Sequence, residues 1–124
     1  KCYYGNFEYS IAARILIDST LQYPKYIGGT KSFDTKVIDS SKSKIFCKHG
    51  AEGVFLFAHL KTGISGVVKV TDGNERAIPT TLINIFKKLK LMNKSEITNL
   101  QRKEEDYLKN HAGKKIGYIN SKII

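Results

Sequence analysis

Acidic residues are scarce in this chain: 11 Asp and Glu stand against 21 Lys and Arg, a formal charge of +10. A surplus of that size suits nucleic acid or an anionic surface as a partner. No RNP-like aromatic motif accompanies it, however, and no basic helix lacks interleaved acids. The lysines are spread over the whole chain, and a lysine-biased codon composition accounts for the charge as well, so nucleic acid is not the expected partner. Cysteine is nearly absent too, with only Cys2 and Cys47. Two cysteines do not make a disulfide scaffold, and Cys47, inside an apolar run, is expected to be a reduced core residue. There is no C-x-x-C and no H-x-x-x-H, which leaves a self-contained zinc site without support. No apolar run approaches the ~20 residues that cross a bilayer, and nothing reads as a signal peptide. The expectation is a cytoplasmic protein with no membrane partner and no metal ligands of its own.

What is present is enough for one domain: 124 residues, of which 41% are hydrophobic. The chain starts at Lys1 rather than Met and is expected to be residues 1–124 of a single domain, or the C-terminal part of a larger one. Ser10 is a candidate cap for a helix to about Leu21, with Ile11, Ile15 and Leu16 at helical spacing. Tyr23-Pro24 stops it, since a residue before proline avoids the helical region. Phe33 to Asp39 fits either an extended run or a helical turn. Three strands follow, at 44–48, 53–60 and 64–71. Their short connections make them antiparallel, and the second, apolar on both faces, reads as a central strand covered on both sides. Asp72-Gly73-Asn74 leads into a helix with Pro79 in its first turn and a buried stripe of Leu82, Ile85, Phe86 and Leu89. Ser95 is a candidate cap for a last helix, with Glu96 favourable at its positive end and Ile97, Leu100, Tyr107 and Leu108 as its apolar face. Residues 115–123 close the chain as a strand. The order α-β-β-β-α-α-β is an α+β fold, an antiparallel sheet with packed helices.

Chemistry concentrates in Lys48-His49-Gly50-Ala51-Glu52-Gly53, between the apolar runs 45–47 and 54–57. A lysine at the end of a strand, followed by a small-residue turn, leaves the backbone open to a ligand. It also sets an amine where a nucleophilic serine can use it; the K-x-G strand lines the site in serine-acylating enzymes that carry S-x-x-K and K-T-G. Read alone, Lys48 and His49 are also what a solvated strand end looks like, and Glu52 is either an ion-pair partner for Lys48 or a surface carboxylate. Lys61-Thr62-Gly63 spells K-T-G but falls in the turn between the second and third strands, so it is assigned to turn chemistry. Asn93-Lys94-Ser95 spells a glycosylation sequon and is assigned to a helix start.

Residues 48–54 resemble the K-x-G-A-E-G-V signature of the asparaginase II family of L-asparaginases. The likeness continues in Lys69, Asp72, Gly73, Arg76 and Ala77, which resemble G-x-x-x-K-x-x-D-G-x-x-R-A, with Gly63 or Gly66 as the leading glycine. Upstream, Pro24, Gly28-Gly29 and Asp34-Thr35 resemble P-x-x-x-G-G followed by a D-T or C-T pair. Downstream, Asn110, Gly113 and Gly117 resemble the terminal N-x-x-G-x-x-x-G. Order and spacing agree over about residues 11 to 120. Family members are more than twice this length, so the chain corresponds to their C-terminal part. No S-x-x-K is present except Ser41 with Lys44, in a loop.

The resemblance implies a fold like the serine β-lactamases and glutaminases, an αβα layered domain of which this is one part. It implies L-asparagine as substrate, hydrolysed to aspartate and ammonia through an acyl-enzyme on a serine. Lys48 takes the role of the K-x-G lysine, the base that a serine hydroxyl needs, paired with a serine from the missing N-terminal half. Gly50 lets the strand edge approach substrate; Asp34 sits where some members have a cysteine near the site, and Glu52 and His49 are supporting candidates. Zinc-binding cysteines of some members would come from the missing half. The fragment alone is expected to be inactive and to need that half, or to self-associate. The alternatives are a non-catalytic remnant and a basic binding module.

Overall fold

The structure, a computed structural model, describes residues 10–103 and 107–123. Helices and strands mix as an α+β fold requires. Helices α1 (Ser10–Gln22), α2 (Pro24–Gly28) and α3 (Phe33–Ser40) come first. Strands β1 (Ile45–Gly50), β2 (Val54–His59) and β3 (Ser65–Lys69) follow, then a short 3-10 turn (Glu75–Ala77), α4 (Ile78–Lys88), α5 (Lys94–Arg102), β4 (Tyr107–Lys109) and β5 (Lys115–Tyr118). The first sheet has the order β1-β2-β3 and the second is the antiparallel pair β4-β5. Two compact units divide the chain, residues 1–49 with 56–66 and residues 50–55 with 67–124. Cys2 lies outside the described residues.

In the first unit, α1 is helical as its spacing predicts, but Ile11, Ile15 and Leu16 are exposed and the buried side of the helix is Ile17 and Thr20. The period of an apolar pattern sets the helix; it does not say that the same chain covers the stripe. The undecided segment at 33–39 is helix α3. Ser32 caps it, its hydroxyl accepting from the Thr35 amide at 3.4 Å, and Asp34 favours the positive end. Val37 and Ile38 bury its inner face, together with Ile45 and Cys47 of β1.

β2 is the middle strand, but it is not apolar-covered on both sides. Phe55, Phe57 and His59 are buried while Val54, Leu56 and Ala58 are half-buried, the alternation of a strand with one covered face. The K-T-G triplet is turn chemistry: Thr62 Oγ1 meets His59 Nδ1 at 2.8 Å and the Gly63 amide donates to the His59 carbonyl at 2.9 Å.

In the second unit, α4 buries Ile78, Leu82, Ile83 and Phe86; Leu89, expected in the stripe, is exposed. α5 begins with Asn93, not Ser95. The Asn93 side chain accepts from the Glu96 amide and the Glu96 carboxylate accepts from the Asn93 amide, both at 2.9 Å, a reciprocal capping box. The helix also ends earlier than its apolar spacing predicts. Tyr107 and Leu108 leave it to pair as β4 with Tyr118 and Gly117 of β5. Lys115 and Lys109 place their ammonium groups 3.8 Å and 5.1 Å from the centroid of the Tyr107 ring, which favours the hairpin further. Among the described residues, no helix is long and apolar enough to cross a membrane.

Asn93→Ala removes the side-chain acceptor of the Glu96 amide, while the backbone amide of residue 93 still donates to the Glu96 carboxylate. It is expected to cost about 1 kcal/mol and to lower the thermal midpoint by roughly 4–8 °C, read by circular dichroism; Ser95→Ala should leave the midpoint unchanged.

Candidate active site

The turn between α2 and α3 is tied down before any chemistry is considered. Thr35 Oγ1 lies 2.8 Å from the Gly29 carbonyl and 3.2 Å from that of Pro24, and Ser32 Oγ lies 2.9 Å from the Gly29 carbonyl. This brings Gly28 hard against Asp34. A methyl on Gly28 would overlap the Asp34 carboxylate and the Ser32 hydroxyl, so only hydrogen fits there.

The result is a carboxylate held inside the protein, 1% exposed. Its Oδ1 accepts from the Thr35 amide at 3.1 Å, and its Oδ2 lies 2.8 Å from His49 Nδ1 on β1. Burial alone would raise the Asp34 carboxyl. Hydrogen bonds from Ser32 and His49, the charge His49 carries when protonated, and the Thr35 amide outweigh it and hold the group below the usual carboxylate range. Cys47 packs behind the pair, its thiol donating to the Asp34 carbonyl at 3.6 Å. Burial, and then the charge of Asp34, push that thiol well up, while Lys48 acts the other way. Cys47 is a free, buried thiol, as its apolar run predicts.

Lys48 is half-buried on β1, and its ammonium donates to the His49 carbonyl at 2.7 Å. Asp34, Lys48 and His49 therefore form one connected cluster in the first unit. A contact across 15 residues of sequence leaves no local signal, so the Asp34–His49 bond was invisible to periodicity. Only the D-T pair flagged the segment.

Gly50 and Glu52 belong to the second unit. Among the described residues, the nearest atoms that a methyl at Gly50 would meet belong to Val54, from an ordinary 3.5 Å. Glu52 is exposed in the turn after β1 with a φ of 59°. Its carbonyl accepts from Lys69 Nζ at 2.6 Å, and the Gly53 carbonyl accepts from the Val70 amide at 2.8 Å. A methyl on Gly53 would press within 3.0 Å of Gly73 and Val70. The corner continues in Asp72, which pairs with Arg76 at 3.0 Å and accepts from the Asn74 amide at 3.0 Å. Glu52, Gly53, Lys69, Asp72, Gly73 and Arg76 are thus one folded turn cluster.

Each pair of separated motifs has now met in space: P-x-x-x-G-G and D-T with K-H, and E-G-V with K-x-x-D-G-x-x-R. The sequence pattern of the L-asparaginase II family matches residues 4–121. The chain belongs to the L-asparaginase II family. No curated protein matches it. Membership makes the chain part of an asparaginase-type hydrolase lineage. Of the terminal family residues, Gly117 lies on β5 and Asn110 and Gly113 make the β4–β5 turn: Gly113 donates its amide to the Asn110 carbonyl, and Asn110 Oδ1 accepts from the Lys114 amide, both at 2.9 Å. Ser41, the serine of the S-x-x-K match, is buried; its hydroxyl donates to the Ile38 carbonyl at 3.1 Å and accepts from the Ile45 amide at 3.3 Å, which is a structural use. Among the described residues no three His, Cys, Asp or Glu side chains converge as a group that could hold a metal ion.

Because Asp34 titrates below its unfolded value, its contribution is full above about pH 4 and is lost as pH falls through the lowered folded value. Acid unfolding monitored by fluorescence should show this limb in the wild type, and Asp34→Asn should flatten it. Gly28→Ala, which displaces the same carboxylate, is expected to cost about 1–3 kcal/mol in denaturant unfolding, with Gly117→Ala as the control, since a methyl there meets Leu108 at an ordinary 3.8 Å and the backbone is not in the left-handed region.

Proposed function

We propose that this chain supplies the lysine half of an L-asparaginase site, hydrolysing L-asparagine to L-aspartate and ammonia. The observation that carries the reading is the 2.8 Å bond between Asp34 and His49, which draws the D-T segment onto the strand bearing Lys48. Membership of the L-asparaginase II family supports the reaction class.

The chemistry needs a serine outside the described set, contributed by an N-terminal part of the same domain with a β-lactamase-like layering. Once it has given up its own proton, the Lys48 amine takes the serine proton as Oγ attacks the side-chain carboxamide carbon. The C–N bond breaks, the departing nitrogen receives a proton and leaves as ammonia. Water then attacks the ester, its proton passing back through the amine, and aspartate is released. Gly50 leaves room along the strand for substrate, Glu52 braces the turn that follows, and Asp34 and His49 support the lysine. The exposed Ile15, Leu16 and Tyr26 of α1 and α2 suit a covering partner, either the remainder of the domain or a second copy. The buried thiol of Cys47 suits a cytoplasmic enzyme.

A coupled ammonia assay tests the reading. The protein extended by its N-terminal part should turn over L-asparagine, and Lys48→Ala should lower kcat/KM by about 10²–10⁴-fold. This chain alone should release none. Activity untouched by Lys48→Ala removes Lys48 from the mechanism, and no turnover with the N-terminal part present favours a non-catalytic remnant.

A further inference from the structure

Both oxygens of the Asp34 carboxylate are committed, and to different groups. Oδ1 accepts from the Thr35 amide at 3.1 Å, and Oδ2 faces His49 Nδ1 at 2.8 Å. An ionised carboxylate can only accept hydrogen bonds. Nδ1 must therefore be the donor, and it carries a proton whether the ring is neutral or charged. In the neutral ring the remaining nitrogen, Nε2, is then an acceptor. It has no partner among the described residues, and the side chain is 36% exposed. The second link runs through the main chain, where the His49 carbonyl accepts from Lys48 Nζ at 2.7 Å. Residue 49 is thus anchored at its ring by a carboxylate that barely reaches solvent, while its carbonyl holds the amine of its neighbour.

From this juxtaposition we infer that Asp34 is a positioning residue: it fixes His49 as the Nδ1–H tautomer with Nε2 presented as an acceptor, and through His49 it holds the Lys48 amine in place. A half-exposed acceptor beside an amine-bearing residue suits a ligand with N–H donors, such as a carboxamide or an α-ammonium group. The catalytic meaning rests on Lys48 being the base of the proposed site; the geometry does not.

Two measurements on this chain test it, and neither uses turnover. The first is long-range ¹H–¹⁵N NMR on the neutral ring, with the His49 signals identified by their absence in His49→Asn. The expected wild-type ring has Nδ1 protonated and Nε2 bare. In Asp34→Asn one oxygen is left for the donors of Ser32, Thr35 and His49, so the Nδ1–H fraction should fall. A wild-type ring protonated mainly at Nε2 overturns the inference. The second is trace acetylation, with the rate at Lys48 taken relative to the other lysines. Loss of the anchor in Asp34→Ala should raise the Lys48 rate about 2- to 10-fold, the worth of one net hydrogen bond. His49→Asn, whose amide N–H can reach Asp34 as Nδ1 does, should keep the slow rate, and His49→Leu should lose it. Relative labelling of Lys48 that Asp34→Ala leaves unchanged overturns the positioning role. Because both readouts are independent of asparagine hydrolysis, their failure is distinct from failure of the asparaginase reading.

Discussion

A carboxylate taken out of water must be given back its hydrogen bonds, or it will not stay ionised. Asp34 meets that condition with donors from its own turn and from β1, and much of the first unit is arranged to make them available. Gly28 has no side chain because the carboxylate occupies its space. Thr35 faces the carbonyls of Pro24 and Gly29, and that closes the turn from which α3 starts. Cys47 is fully buried on β1 and donates to the Asp34 carbonyl. Removing the carboxylate altogether would leave the Thr35 amide and the His49 ring without their acceptor, so the cost of losing it is shared among several groups rather than one.

The second unit shows the same logic without a buried charge. Lys69 reaches the carbonyls of Glu52 and Val70, at 2.6 Å and 2.8 Å, and so knots the turn after β1 to the corner after β3. Gly53 is the point of closest approach, and its φ of 68° adds a second reason for glycine. Residues that look like separate signature elements along the chain are one packing solution. Family residues here divide into those that shape a turn, such as Gly53, Asp72 and Arg76, and those whose polar groups stand at a half-exposed strand end, Lys48 and His49.

The α+β class, the three strands and their order, the helix after Pro79 and the turn role of Lys61-Thr62-Gly63 were legible in the sequence, because period, turn residues and caps are local. The family was legible as well, because the spacing of Gly, Asp, Lys and Arg across four segments is specific even where no single triplet is. What periodicity could not reach was anything that depends on who covers whom. Ile11, Ile15 and Leu16 have helical spacing and stand exposed. Tyr107 and Leu108 fit a helical face and pair instead with Tyr118 and Gly117, since a hairpin partner downstream outweighs local helical spacing. Asn93 rather than Ser95 caps α5 because only at that register does Glu96 fall at the third helical position and return the bond. At the candidate site the lysine and the glycine were visible, but the bond that links Asp34 to His49 was not.

Asp72-Gly73 is a dipeptide that ages in many proteins: the glycine amide attacks the aspartate carboxyl, a succinimide forms, and hydrolysis leaves an isoaspartyl kink. Here both reactants are occupied. The Gly73 amide donates to the Val70 carbonyl at 3.0 Å, and the Asp72 oxygens are held by the Asn74 amide and the Arg76 guanidinium. The corner that locks the turn after β1 therefore also keeps this bond from rearranging, and the chain's slow chemical clock at that position runs only as often as the corner opens.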